Sequence, residues 1–436
     1  MPSRRLHAVR QKAKESVAMP NEVRTAGPDL TGAGTSRAAA APGIPVARPP
    51  RRLRRIFCLD DFESAARRYL PKPLFGYVAG ATENNVTLAD NRAVFDEIRL
   101  VPRVLVDVSA RSQETTLFGH RYAAPFGIAP MGITALMGYR GDLVLARAAA
   151  RANIVNVMSG SSLIRLEEVA ATAPESWFQI YVPNESPRVA ALVDRVAAAG
   201  FKTLVVTVDS SVVPNRENNV RAGFKTPLEP NLSLMWQGMS HPFWVFEVFL
   251  RTLLRHGMPC FENNQAERGA PIVSRTVARD FSGRERFDWT ELDRIRARWR
   301  GTLVLKGILN PEDARRAREH GADGIIVSNH GGRQLDCVPS PMRVLAAVKA
   351  AAGDMSVMID SGFRRGTDIL KALALGADYV FIGRPFNYAA AVAGEAGVDH
   401  AIALMMAELK ADMGLIGINS LAEMGPERLF GEVWWR

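Results

Sequence analysis

From residue 126 onward, short apolar runs alternate with longer segments rich in Ala, Arg and Leu. The runs are Phe126–Met131, Asn153–Ser159, Trp177–Val182, Thr203–Asp209, Thr302–Gly307, Gly324–His330, Ser356–Gly362 and Tyr379–Pro385. Several are continuously apolar, the pattern of a parallel strand covered on both faces. Between them lie helical candidates such as Gly141–Ala152, Pro187–Ala199, Pro311–His320 and Gly366–Leu375. Eight βα units in this order predict an α/β fold, a (β/α)8 TIM barrel. Polar or small residues gather where the runs end, at the mouth where such barrels place their chemistry.

The connection after the fourth run breaks the rhythm, and residues 210–300 read as a long loop insertion, a lid or a binding element. Within it, the stretch from His241 to Arg255 is apolar and aromatic with few charges. It is too short to span a bilayer. Two placements fit it. It lies at a membrane surface, with Trp236, Phe243 and Trp244 at headgroup depth and Arg251 and Arg255 near phosphates, or it packs on its own barrel or on a neighbouring subunit.

Apolar residues make up 47% and charged residues 23% of the chain, as in soluble globular proteins. No run of 18 uninterrupted apolar residues is present, which argues against a membrane-spanning helix. Cys58, Cys260 and Cys337 are scattered without metal or redox spacing, and no metal site is expected. The net charge of +10 first suggests nucleic acid. Residues 1–55, however, hold ten Arg and two Lys against one Asp and two Glu, so nearly all of it belongs to an Ala-, Pro-, Gly- and Arg-rich tail. That tail shows no apolar period and is expected to stay disordered, while residues 56–436 form the barrel domain. It reads as a solvated extension or a mis-assigned start, with a transit peptide disfavoured by its acidic residues. No nucleic-acid partner is expected.

The stretch Gly324-Ile-Ile-Val-Ser-Asn-His-Gly-Gly-Arg-Gln-Leu-Asp336 carries the most chemistry. His330 can move a proton near neutral pH. Arg333 offers a planar fork for a carboxylate. Asp360-Ser-Gly-Phe-Arg-Arg-Gly366 follows run seven and Ile382-Gly-Arg-Pro385 follows run eight, where this fold often binds phosphate. Lys306, ending run five, can face the electron-rich edge of a reduced ring. An anchored phosphate and a cation beside the ring are what flavin mononucleotide (FMN) requires.

Together these motifs, in this order and spacing, resemble the FMN-dependent L-2-hydroxy-acid oxidising family, which includes glycolate oxidase, flavocytochrome b2, and bacterial L-lactate and mandelate dehydrogenases. The resemblance runs from about Phe57 to Leu429. It implies that His330 is the active-site base and that Asp209, in Thr-Val-Asp, orients it. It implies that Arg333 and Arg216 (in Asn-Arg-Glu) hold the substrate carboxylate and that Tyr77 and Tyr181 line the substrate site. For FMN it implies ring and ribityl contacts from Pro130, Met131, Gly132, Ser159, Gln179, Thr207, Lys306 and Ser328. The ribityl-phosphate end falls to Asp360, Gly362, Arg364, Gly383 and Arg384.

Where plant oxidases of that family carry alanine, Gly132 is similar to the bacterial dehydrogenases, which pass electrons to quinone. Met158-Ser-Gly-Ser161 lacks the tryptophan that narrows the glycolate oxidase pocket, leaving room for a larger side chain. The chain is therefore expected to oxidise an L-(S)-2-hydroxy acid, lactate- or mandelate-like, to the 2-oxo acid and to pass electrons to a quinone-like acceptor. A homotetramer is implied by the family. A cytoplasmic location is expected, with peripheral contact at the inner face of the cytoplasmic membrane. The rivals are an oxygen-using oxidase that releases hydrogen peroxide, a flavoenzyme for a specialised biosynthetic substrate, and a scaffold that only binds a membrane.

Overall fold

The computed structural model describes residues 50–182, 186–224, 228, 232–273 and 284–431. Residues 1–49 of the expected tail lie outside them. Eight parallel strands form one sheet: β1 (Phe126–Ile128), β2 (Val157–Ser159), β3 (Trp177–Tyr181), β4 (Thr203–Thr207), β5 (Thr302–Ile308), β6 (Gly324–Val327), β7 (Ser356–Ile359) and β8 (Tyr379–Ile382). From β2 onward each pairs with the next, and β8 pairs with β1 through Val380 and Phe126. The β1–β2 seam is closed by one parallel bridge, Ile128 to Asn156, making the barrel.

All eight expected strands are present, but most end a few residues early. β6 stops at Val327, so Ser328 to Asp336 belongs to a loop. The reason is the polar tips, whose side chains bond across the mouth instead of extending a ladder. The expected helices appear as Gly141–Ala152, Ser186–Ala198, Pro311–Glu319 and Gly366–Ala374. Two further regions lacked a clear period in the sequence. Helices Asp61–Tyr69, Lys72–Ala79 and Val86–Glu97 precede the barrel, and a hairpin, Thr115–Leu117 with His120–Tyr122, closes its lower end.

Inward positions of β2 to β8 fill the barrel, the largest side chains among them being Trp177, Met358, Tyr379 and Phe381, and hairpin residues Leu117 and Tyr122 join them. Tyr379 serves the seam directly. Its hydroxyl donates to the Phe126 carbonyl at 2.7 Å and accepts from the Val155 amide at 3.1 Å. The outer layer buries the opposite strand faces against the helices. Helix Arg384–Ile416 is long and apolar enough to cross a membrane by length and composition. It is kinked at Ala393–Gly394, however, and its buried face packs on helix Gly141–Ala152 and on Asp61–Tyr69.

Two expectations are corrected here. The packed body begins before residue 56: Arg51–Leu53 forms a turn of 3-10 helix with Leu53 buried. Arg52 reaches Glu247 through both guanidinium nitrogens at 3.1 Å, a fork that ties this edge of the expected tail to the excursion. The long connection is also shorter than residues 210–300, because Trp289–Arg298 is the barrel helix that leads into β5. Within it, Leu232–Ser240 and the continuous helical stretch from Pro242 to His256 lie on the outside. Of the two placements open for Trp244, the packed one holds. The residue is buried, and its indole nitrogen donates to the Leu136 carbonyl at 2.7 Å, which anchors the segment to the barrel.

Replacing Tyr379 with Phe removes both seam hydrogen bonds and leaves two backbone groups buried without that partner. The expected loss is about 1–3 kcal/mol, read as a lower denaturant midpoint. An unchanged midpoint would show that the seam does not depend on this hydroxyl.

Candidate active site

The C-terminal mouth of the barrel opens into a cavity of about 820 Å³, within the roughly 300–1,000 Å³ typical of small-molecule sites. Its centre is the loop after β6. His330 lies there at φ 59°, a left-handed conformation that a non-glycine residue adopts at a cost of about 1–3 kcal/mol. Hydrogen bonds hold the turn. The His330 amide donates to Ser328 Oγ at 3.0 Å, and the Gly331 amide donates to Ser361 Oγ at 3.1 Å.

His330 Nδ1 stands 3.0 Å from Asp209 Oδ1, just beyond β4. Its Nε2 faces Tyr181 Oη at 3.5 Å on the cavity side. Burial pushes the His330 imidazole below its ordinary 6.5, and Lys306 and Arg216 add to this, while Asp209 opposes it. Burial alone would raise the Asp209 carboxyl, but His330 and Lys306 outweigh it and hold the carboxyl below its usual range. The pair at neutral pH is therefore a carboxylate accepting from Nδ1–H of a neutral ring, with Nε2 free to take a proton. Position 307 must be glycine for this geometry. Its φ is 113°, at a register shift in β5, and a Cβ there would meet Asp209 Cβ at 2.6 Å.

The arginines are placed by backbone carbonyls. Helix Lys72–Ala79 ends at the mouth, and its last carbonyls lack partners within the helix. Arg333 Nη1 donates to Tyr77 O at 2.6 Å and Gly80 O at 2.7 Å. Arg384 Nε donates to Val78 O at 2.8 Å, and its Nη2 donates to Gly80 O and Gly331 O, each at 3.0 Å. Arg333 Nη2 is buried without a hydrogen-bond partner among the described residues, and its guanidinium lies 4.9 Å from the Tyr77 ring centre. Arg216 donates from Nε to Arg333 O and from Nη2 to Gln334 Oε1, both at 2.9 Å, so it lines the same wall.

Two more guanidiniums, Arg364 and Arg384, line the same cavity. Burial, with Arg333 nearby, pulls Arg384 down to about 10. Burial and Arg92 lower Arg364, which pairs with Asp60 at 3.2 Å. Gly362 sits beside it at φ 94°, where a Cβ would lie 2.0 Å from Asn91 O. In the cavity lining, Lys306 Nζ donates to Ser328 Oγ at 2.7 Å and pairs with Asp360 Oδ2 at 2.8 Å. Burial works against the Lys306 charge, but Asp360 and Asp209 outweigh it and raise its pKa. Ser159 Oγ donates to Gln179 Oε1 at 3.1 Å, leaving Gln179 Nε2 buried with no partner among the described residues.

The sequence-predicted residues thus converge. Tyr77, Pro130, Met131, Gly132, Tyr181 and Thr207 line the cavity, as do Arg216, Lys306, His330 and Arg333. Asp360, Gly362, Arg364, Gly383 and Arg384 line it as well. Ser159, Gln179, Asp209 and Ser328 support these from just behind. Several residues had no motif to mark them. Arg284 lies 5.0 Å over the Tyr181 ring, and Val212, Val213 and Phe224 supply an apolar wall. Asp336 was visible only as the end of its motif. It accepts amides from Asn84, Val86 and Thr87 at 3.1, 3.2 and 2.8 Å, so it caps helix Val86–Glu97 and fixes the N-terminal segment on the mouth.

An orphaned amide just behind the cavity, a buried cation in its lining and two part-buried guanidiniums suit a flat polar ring joined to a phosphate. The cavity therefore fits FMN. Arg216 and Arg333 beside the neutral base suit a carboxylate next to a C–H and O–H bond.

Comparison with known proteins gives a consistent answer. Residues 66–430 match the FMN-dependent dehydrogenase family. The chain is 38% identical over 384 residues to (S)-mandelate dehydrogenase of Pseudomonas putida, covering 86% of this chain and 94% of that protein. It is 41% identical over 378 residues to L-lactate dehydrogenase of Chromohalobacter salexigens, covering 85% and 94%. The crystal structure of the monotopic membrane protein (S)-mandelate dehydrogenase superposes with a TM-score of 0.78 at 36% identity, covering 87% of this chain and all of that one. A mandelate oxidase bound to benzoyl-formic acid superposes with a TM-score of 0.70 at 34% identity, covering 86% and 97%.

Because Lys306 and Asp360 are both buried, removing one leaves the other uncompensated. In the apoprotein, Lys306→Met is expected to cost about 3–5 kcal/mol, and Lys306→Met/Asp360→Asn distinctly less. Equal losses in the single and double variants would contradict the pairing.

Proposed function

This chain belongs to the FMN-dependent dehydrogenase family, and from that premise we propose that it oxidises an (S)-2-hydroxy acid to the 2-oxo acid and passes the electrons to a membrane quinone. The observation that carries this reading is the neutral His330, backed by Asp209 and standing beside the paired Arg216 and Arg333. FMN supplies the two-electron acceptor for the C2 centre. Arg364, Arg384, Gly362, Gly383 and Asp360 would hold its phosphate and ribityl end. Pro130, Met131, Gly132, Ser159, Gln179, Thr207, Lys306 and Ser328 would hold its ring and upper chain.

In this reading Arg333 and Arg216 clamp the substrate carboxylate, with Tyr77 and Tyr181 beside them. Fixing that group at two points turns binding energy into orientation of C2. His330 Nε2 takes the proton released at the reacting centre, and the ionised Asp209 stabilises the imidazolium that results. Val212, Val213 and Phe224 offer apolar surface beyond the clamp, and small Ser161 leaves space. A mandelate-like side chain suits that wall better than a bare methyl group.

Peripheral membrane attachment is part of the proposal. Trp236, Phe243, Phe246 and Leu254 are 65, 65, 68 and 84% exposed on one excursion, a set that soluble surfaces rarely gather. Arg251 and Arg255 stand on the same stretch. Attachment at the inner face of the cytoplasmic membrane and a tetrameric assembly are carried forward from the family resemblance. A second reading, oxygen as acceptor, is favoured only by the likeness to mandelate oxidase, and rapid reoxidation of the reduced flavin in air would select it.

His330→Ala should retain flavin while turnover falls by orders of magnitude, and Arg333→Lys should raise KM because an ammonium cannot supply the fork. Since catalysis needs the neutral ring, kcat/KM should be level at neutral pH and fall as pH drops through a pKa below 6.5. In Asp209→Asn that limb moves to lower pH and the plateau falls. Near-normal turnover in His330→Ala would remove the assigned base. Separately, replacing Trp236, Phe243 and Phe246 together by Ser should abolish most sedimentation with anionic phospholipid vesicles. Undiminished sedimentation would place the contact elsewhere.

A further inference from the structure

A second cavity of about 460 Å³ lies outside the site described above. Ala135, from the connection after β1, and Leu163 and Ile164, from the connection after β2, form one wall. Thr252, His256 and Met258, from the exposed apolar excursion, form the other. The same helix, Arg251–His256, carries Leu254 outward at 84% exposure, so the cavity adjoins the face proposed for the membrane.

Its guanidiniums do not make it an anion site. Arg140 pairs with Glu168, Arg165 with Glu167 at 3.4 Å, Arg195 with Glu167 at 2.8 Å, and Arg268 with Glu262 at 2.9 Å. Glu167 serves both Arg165 and Arg195, so four guanidiniums share three carboxylates; every one has an acidic partner, and a neutral polar ligand suits the cavity better than a doubly charged phosphate. Neutral hydrogen-bonding groups are present. Thr252 Oγ1 is buried with no hydrogen-bond partner among the described residues. His256 Nδ1 faces Arg140 Nη1 at 3.4 Å, and an arginine can only donate, so the ring proton resides on Nε2. That proton is donated to Tyr139 Oη at 2.9 Å, which frees the tyrosine hydroxyl to donate in turn.

A thin partition separates the two cavities. Gly132 and Ser161 line the first, and Ala135 and Leu163 line the second, two or three residues further along the same loops. Three residues of chain span at most on the order of 11 Å. Trp244 pins the excursion to this partition at the Leu136 carbonyl.

We infer that the second cavity is the electron-acceptor site, holding the ring of a lipid-soluble quinone whose tail leaves along the apolar excursion. The inference rests on the proposed quinone-linked reading and gives that acceptor a place. The overall exchange balances: the hydroxy acid loses two electrons and two protons as its C2–O bond becomes a carbonyl. The quinone gains two electrons and two protons and becomes the quinol. Thr252 Oγ1 lines the cavity as an unpartnered donor for one carbonyl oxygen, and the His256–Tyr139 pair stands at its edge.

The test uses the flavin-loaded full chain and an azido derivative of a short-tailed benzoquinone, photolysed and mapped by peptide mass spectrometry. Labelling is expected within residues 252–259 or 163–168 and should be competed by unlabelled decyl-quinone. Thr252→Val should raise KM for the quinone about tenfold, the loss of one hydrogen bond of roughly 1.4 kcal/mol. It should leave the anaerobic rate of flavin reduction by the hydroxy acid unchanged. Leu163→Trp, which fills the cavity, should suppress labelling in protein that retains flavin. Labelling confined to the first cavity, or labelling displaced by short-chain phosphatidylglycerol and not by quinone, would overturn the inference. Failure of every hydroxy acid to reduce the wild-type flavin would instead count against the proposed reaction, and the labelling map would still decide the cavity.

Discussion

Helix Lys72–Ala79 ends at the barrel mouth with carbonyls that no residue of its own can satisfy, and two arginines from distant loops meet that need. Arg333 and Arg384 both donate to Gly80 O, and each takes a further carbonyl of the same helix end. These contacts bring the loops after β6 and β8 together and draw Tyr77 into the cavity. Asp336 completes the arrangement by capping the next helix with the same loop. Each guanidinium is held by fixed carbonyl dipoles, and Arg333 keeps one nitrogen, Nη2, buried without a partner among the described residues. The site is therefore pre-organised by the backbone of a segment outside the barrel, and little ordering remains to be done when an anion arrives.

The electrostatics follow from burial. The mouth holds more cations than anions: Arg216, Arg333, Arg364 and Arg384 all line it, which suits a guest that carries a phosphate and a carboxylate substrate. Lys306 and Asp360 neutralise each other in the cavity lining, and Asp209 keeps its charge because His330 and Lys306 face it. The same burial that makes these charges costly keeps His330 neutral and ready to accept a proton. Toward the excursion the pattern reverses: charges pair off and apolar surface is left exposed, as suits a lipid-facing side.

Much of this was legible in the sequence, for identifiable reasons. The barrel strands are continuous apolar runs closed by polar tips, so their existence, order and mouth-facing ends could be read directly. His330, Arg333, Arg364 and Arg384 sit in motifs with glycines that the backbone needs, at Gly362 for instance. The N-terminal helices were not legible because their apolar positions answer to the barrel rather than to a surface of their own. Arg52 looked like part of a solvated tail because its partner, Glu247, is 195 residues away. Trp244 was left between a membrane surface and the barrel because an aromatic beside a proline carries no sign of which face it turns inward. Arg284 has no motif, and only the fold lays it over Tyr181.

The most direct test of the central claim is the visible spectrum of the purified, flavin-loaded protein mixed without air with the (S)- and (R)-forms of lactate and mandelate. The account predicts that an (S)-acid bleaches the flavin band and that its (R)-form does not, since the arginine clamp and His330 fix one face of C2. A bound flavin that neither form reduces, or one that both reduce equally, would contradict it.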